Sequence, residues 1–184
     1  MQARIRGNLL PLAVVVVLAT ALVCGLGGCG NGGPATDGPL SDGARGGDAC
    51  APSRFGEPQT FGIERFTNHG HVTVVLDRVA LRHPRHERVV GSYAVPGMWL
   101  VGVVPWPPRW GVPPTWKDRQ PVHGFRVAPG RSFNMVLGVA ATVTGMARSQ
   151  GLAVYYHDPA GRYVTTDDFG FLIDRGKASC LTGD

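Results

Sequence analysis

The clearest hydrophobic alternation runs from Phe133 to Val143. Phe133, Met135, Leu137, Val139, Ala141 and Val143 share one side, with Asn134, Val136, Gly138, Ala140 and Thr142 on the other. A period of two predicts a strand with one side on a core. From His71 to Leu81, Val72, Val74 and Leu76 keep one phase while Val79 and Leu81 take the other. That one-residue slip predicts a bulge near Asp77 and Arg78. Val89 to Val95 follows a turn at His83-Pro84-Arg85-His86, and Pro96-Gly97 turns the chain again. Met98 to Val104 is apolar on both sides around Trp99, the pattern of a strand inside a sheet. Further strands are expected at Phe61 to Phe66, Gly124 to Val127, Leu152 to Tyr156, Tyr163 to Thr166 and Phe169 to Ile173, with Asp158-Pro159-Ala160-Gly161 as a turn. No 3.6-residue period competes after Cys50. The expectation is an all-β domain over residues 50–184, a two-sheet sandwich of about seven to nine strands.

The front of the chain follows a different pattern. Arg4 and Arg6 precede an apolar run from Leu9 to Val23, then Leu26-Gly27-Gly28-Cys29. A basic head, about fifteen apolar residues and small residues at the end predict a secretory signal over residues 1–28, too short to span a bilayer. From Cys29 to residue 49 glycine, proline and small polar residues dominate, with Leu40 the single large apolar residue, and a disordered tether is expected.

Composition narrows the picture at two points. Of 18 basic residues, Arg4 and Arg6 fall in the leader, leaving sixteen against 13 acidic ones, a formal charge of +3. So small a balance argues against nucleic acid as the partner. Of the 4 cysteines, Cys24 lies in the leader. Cys29 is reserved by the leader's end, so Cys50 and Cys180 are available to each other, and an oxidising exterior favours a disulfide between them.

Leu26-Gly27-Gly28-Cys29 resembles the lipobox of bacterial lipoproteins, which implies cleavage before Cys29 and acylation of that cysteine, with the mature protein held by its lipid on the outer face of the cell membrane. Val127-Ala128-Pro129-Gly130-Arg131-Ser132 resembles the Pro-Gly turn before a late strand of bacterial immunoglobulin-like domains. Together with the tether and the cysteine at each end of the domain, the layout is similar to actinobacterial secreted lipoproteins with an immunoglobulin-like sandwich. That resemblance brings no activity with it.

Candidate chemistry is sparse. The tract from Val103 to Trp116 holds five prolines and Trp106, Trp110 and Trp116, with Arg109 among them. Proline fixes φ and removes donors, which favours a stiff excursion over a ladder strand. Its rings either complete the core by folding over a sheet or form an exposed recognition surface. On the second reading the partner is another envelope protein, a glycan or an anionic wall polymer, the last suited by Lys117, Arg119, Arg126 and Arg131. Six histidines raise copper or zinc binding as an alternative, with His69 and His71 on one strand face and His83 and His86 in a turn, provided the two pairs converge. A hydrolase with a dispersed site, for instance Glu64 with Asp77, is the other alternative. The sequence has no Gly-x-Ser-x-Gly elbow, His-Glu-x-x-His or phosphate-cradling glycine loop. The expected function is therefore a non-catalytic binding or structural module without a cofactor.

Overall fold

The computed structural model describes residues 33–43, 46–97, 101–109, 112 and 114–180. The signal segment, Cys29, Met98, Trp99 and Trp110 lie outside the described residues. Thirteen strands form: β1 (Leu40–Asp42), β2 (Gly47–Ser53), β3 (Gln59–Asn68), β4 (Val74–Leu81), β5 (Glu87–Pro96), β6 (Val101–Pro105), β7 (Gln120–Pro121), β8 (Arg126–Val127), β9 (Ser132–Ala141), β10 (Gly145–Ser149), β11 (Leu152–His157), β12 (Arg162–Thr166) and β13 (Phe169–Arg175). One 3-10 turn, Pro114–Asp118, interrupts them.

The strands make an all-β sandwich. One layer is the sheet β1-β3-β9-β5-β7, with β6 beside β1 on the same edge of β3. The facing layer consists of β10-β13-β2 and β12-β11-β4-β8. Phe66, Phe133 and Leu137 of the first layer meet Leu76, Tyr156 and Phe171 of the second in one buried cluster. Ten strands have five or more residues, above the expected seven to nine, because β2 and β10 were not anticipated.

The bulge expected in β4 is present. Tyr155 pairs with Arg78 and Tyr156 with Leu76, so Asp77 is the extra residue. Further register shifts were not foreseen, among them one between β3 and β6 at Thr60 and Gly62. In β3, Phe61 pairs with Leu137 and Glu64 with Met135, leaving one residue more on β3 than on β9. In β5, Val89 pairs with Val139 and Gly91 with Gly138, which brings two glycines opposite each other.

Two expectations need correction. The segment to residue 49 is not a free tether from Ala35 onward: Ala35 bridges Tyr163, β1 pairs with the end of β3, and β2 runs parallel to β13. Leu40 is the reason, since its side chain is buried and its backbone N–H donates to the Tyr156 hydroxyl at 3.1 Å. One large apolar residue with free sheet edges on either side is enough to order a glycine-rich stretch, because backbone pairing needs no apolar side chains. The strand around Val101 is also not central. Among the described residues β6 pairs with β3 alone, over residues Gln59 to Gly62.

Cys50 in β2 and Cys180 are joined by a disulfide, with Cα atoms 6.1 Å apart and 130 positions between them in sequence. The bond closes the domain on itself, tying β2 to the segment that follows its parallel neighbour β13.

Candidate functional site

The tryptophan tract is a strap across the outer side of the first layer. It follows β6 at one edge of that sheet and precedes β7 at the opposite edge, and its Trp106 lies over β5 and β9. Trp106 lies on the facing glycines Gly91 and Gly138, so closely that a Cβ on either would overlap its indole. Tyr93 stacks on Trp106 at 5.6 Å between centroids and meets Trp116 edge-on at 5.7 Å. Val95, Val101 and Val136 complete this second, smaller core. Trp106 and Trp116 are partly buried and pack against this second core. Arg109 is exposed, and Arg119 sits over the Trp116 ring at 4.8 Å.

The histidine pairs do not converge. His69 and His71 precede β4, whereas His83 and His86 follow it, and eight strand residues hold the pairs about 25 Å apart. Among the described residues no three His, Cys, Asp or Glu side chains form a group able to hold a metal ion. His83 and His86 have φ of 45° and 63°, so they serve the tight turn into β5.

The carboxylates suggested as a hydrolytic pair also separate. The β3 bulge turns Glu64 into the interior, where it meets Asp167 of the β12–β13 turn, while Asp77 stays on the outer side of β4. Glu64 and Asp167 are 2% and 1% exposed. Burial first, then the Asp167 charge, pushes Glu64 up to about 9, and burial raises Asp167 to about 6. Neither Glu64 carboxyl oxygen nor Asp167 Oδ2 has a hydrogen-bond partner among the described residues, so burial and the neighbouring carboxyl both favour a neutral Glu64. Asp167 Oδ1 accepts from the Phe169 N–H at 2.5 Å, and Arg82, ion-paired with Asp168, donates to the Asp167 carbonyl at 2.9 Å. A second acid, Glu87, is 8% exposed, and burial raises it to about 7. All three acids are buried side chains.

The exposed chemistry lies on the four-stranded sheet and at its β8 edge. A groove of about 640 Å³ is lined by Arg126, Arg131, Gln120, Phe125 and Ser132, among others, and no acidic residue lines it. The turn between β8 and β9 shapes it: Arg131 N–H donates to the Ala128 carbonyl at 3.1 Å, and Gly130 has φ of 69°. Pro129 followed by a glycine at positive φ is the arrangement a type II turn requires. Arg131 is thereby placed beside the groove, across from Arg126. Neither guanidinium has an acidic partner among the described residues, where the ion pairs are Arg82–Asp168 and His157–Asp77.

The same sheet presents a second, smaller cavity of about 280 Å³ lined by Arg78, Arg162, Tyr155 and Asp77, among others. The Arg78 guanidinium lies flat on the Tyr155 ring, 3.4 Å from its centroid. The Asp77 carboxylate is held by His157 Nδ1 at 2.8 Å, and its backbone carbonyl accepts from His123 Nδ1 at 3.0 Å. The sequence signal for this surface was the phase slip at Asp77. That slip located the bulge but not the arginines that flank it, because their meeting depends on strand order.

No protein family's sequence model matches the chain, and no curated protein is similar to it in sequence. Among solved structures it is similar to the ASH or PapD-like domain 7 of human CEP192, at 13% identity and TM-score 0.40, over 92% of this chain and 99% of that one. It is also similar to the VesB protease of Vibrio cholerae, at 12% identity and TM-score 0.38, over 74% of this chain. The secreted serine protease VesC from the same organism gives 14% identity and TM-score 0.32 over 74% of this chain. The chain spans 32% of the VesB chain and 23% of the VesC chain. Likenesses this distant assign neither an activity nor a partner.

Proposed function

We propose that the chain is an exported, lipid-anchored, non-catalytic binding module of the cell envelope, and that it takes an anionic ligand in the groove between Arg126 and Arg131. The observation that carries this reading is that groove: about 640 Å³, two arginines without acidic partners, and a floor built by Phe125. Its volume is that of ordinary ligand sites, and guanidinium groups present a planar fork of donors suited to phosphate or carboxylate. Export is supported by the Leu26-Gly27-Gly28-Cys29 motif together with the Cys50–Cys180 disulfide, a bond that persists in oxidising compartments.

The reading is tested on the full-length protein in detergent. Mass spectrometry of the product should find Cys29 acylated at the N-terminus. Calorimetric titration with glycerol 3-phosphate should give saturable heat that Arg126→Ala with Arg131→Ala removes, while Arg109→Ala on the strap leaves it unchanged. An intact leader would overturn the anchor. Heat indifferent to the groove arginines, or none at all, would overturn the site.

A further inference from the structure

Strand register joins the groove to the smaller cavity. On β12-β11-β4-β8 the residues Arg162, His157, Val75 and Arg126 are successive cross-strand partners, Arg162 with His157, His157 with Val75, and Val75 with Arg126. Their sheet neighbours Val74, Tyr156, Tyr163 and Val127 pack toward the core, so this row faces outward. Arg78 stands two strands from β12 on the same side, paired with Tyr155. Three strand spacings separate the end residues of the row, about 14 Å. Arginine thus marks both ends of one sheet face, and the acid on the way, Asp77, is engaged by His157.

We propose that a linear phosphodiester-linked polyol chain lies along this row, one phosphate in the Arg126–Arg131 groove and a later one between Arg78 and Arg162. The proposal rests on the groove being a ligand site. Charge complementarity identifies the occupant. Tyr155, the aromatic ring at the centre of the track, has one face taken by Arg78, and arginine charge at both ends of the row makes phosphate the feature recognised. Arg78, held flat on that ring, keeps its N–H edges available to an anion. A single small anion reaches one end only, so occupying both requires linked units. Tethering the second contact to the first raises affinity without any new kind of contact.

The test uses the full-length lipoprotein in detergent with two probes, glycerol 3-phosphate and poly(glycerol phosphate). The polymer should bind at least ~10-fold more tightly than the monomer at equal phosphate concentration, the gain expected of a second linked contact. Arg162→Ala with Arg78→Ala should erase that gain and leave monomer binding unchanged, and Arg162→Glu alone should weaken the polymer further. Monomer binding without a gain from length, or a gain insensitive to Arg162 and Arg78, overturns the track while the groove stands. Absence of binding by either probe overturns both. Equal binding by single-stranded DNA, polygalacturonate or phosphatidylglycerol vesicles shows another occupant and overturns the assignment to a polyol phosphate.

Discussion

Replacing Glu64 with glutamine should flatten the dependence of stability on pH between 6.5 and 8.5. The folded state holds Glu64 at about 9 against an ordinary 4.5, so it retains a proton that the unfolded chain releases. A carboxyl raised in this way contributes its full stability only below its unfolded value. Stability then falls as pH rises, until the folded group itself ionises. Asp167 at about 6 and Glu87 at about 7 have largely completed their losses by pH 7, which leaves Glu64 dominant above that. One proton corresponds to about 1.4 kcal/mol per pH unit, so two units amount to at most roughly 3 kcal/mol. For a domain of this size that is about 5 to 10 °C in Tm. Glutamine keeps the shape, can donate its amide N–H to the Asp167 carboxylate, and carries no proton to lose. Urea unfolding of both proteins at pH 6.5, 7.5 and 8.5 reads the difference. Parallel curves, or a wild type that gains stability as pH rises, would refute the buried protonated pair.

The other expectations concern the scaffold. Cys50→Ser with Cys180→Ser opens a closure of 130 residues and should cost about 5 kcal/mol by the chain-entropy argument, measured by denaturant unfolding. Trp106→Ala should cost about 3 kcal/mol or more, because it empties the slot over Gly91 and Gly138. A Tm within a degree of wild type would return the ring to the surface. Gly138→Ala should displace the indole and shift tryptophan emission to the red, whereas Gly102→Ala, where a Cβ meets nothing within 4 Å, should leave the spectrum alone. Glu87→Gln should abolish a loss of stability confined to the range from about pH 4.5 to 7, its ordinary and folded values, read from Tm against pH.

Much of the fold is written in local pattern. The Phe133 alternation specifies β9, though its second side also proved to be buried from Asn134 to Ala140, which no alternation rule anticipates for a side carrying Asn134 and Gly138. The slip at Asp77 specifies the β4 bulge because a change of phase in a half-buried strand has few other causes. β2 and β1 were illegible for the opposite reason. Their order comes from pairing of β1 with the end of β3, and from parallel pairing with β13, the Tyr156 hydroxyl and the disulfide, the last three supplied by partners more than one hundred residues away. The prolines announced that the Val103–Trp116 tract was stiff, but whether stiff means exposed or strapped down depends on the glycine pair that the β5 bulge creates.

The bulges that local pattern reveals least are the ones that place chemistry. In β3, Phe61 and Phe66 have opposite parity yet both point into the core, and the residue that absorbs the change leaves Glu64 facing the core as well. Parity of flanking aromatics, compared across an apparently regular strand, would have marked Glu64 as a buried acid. In β4 the same device works outward: Asp77 leaves the ladder, takes His157 as partner and keeps its carboxylate on the row between Arg162 and Arg126. If the track is a real binding surface, Asp77→Ala should strengthen polymer binding at low salt, since the field along the row becomes uniformly positive. It should also cost some stability, through the His157 bond that it loses. A residue that mattered only for folding would give the second effect without the first, and titration of the variant with poly(glycerol phosphate) separates the two.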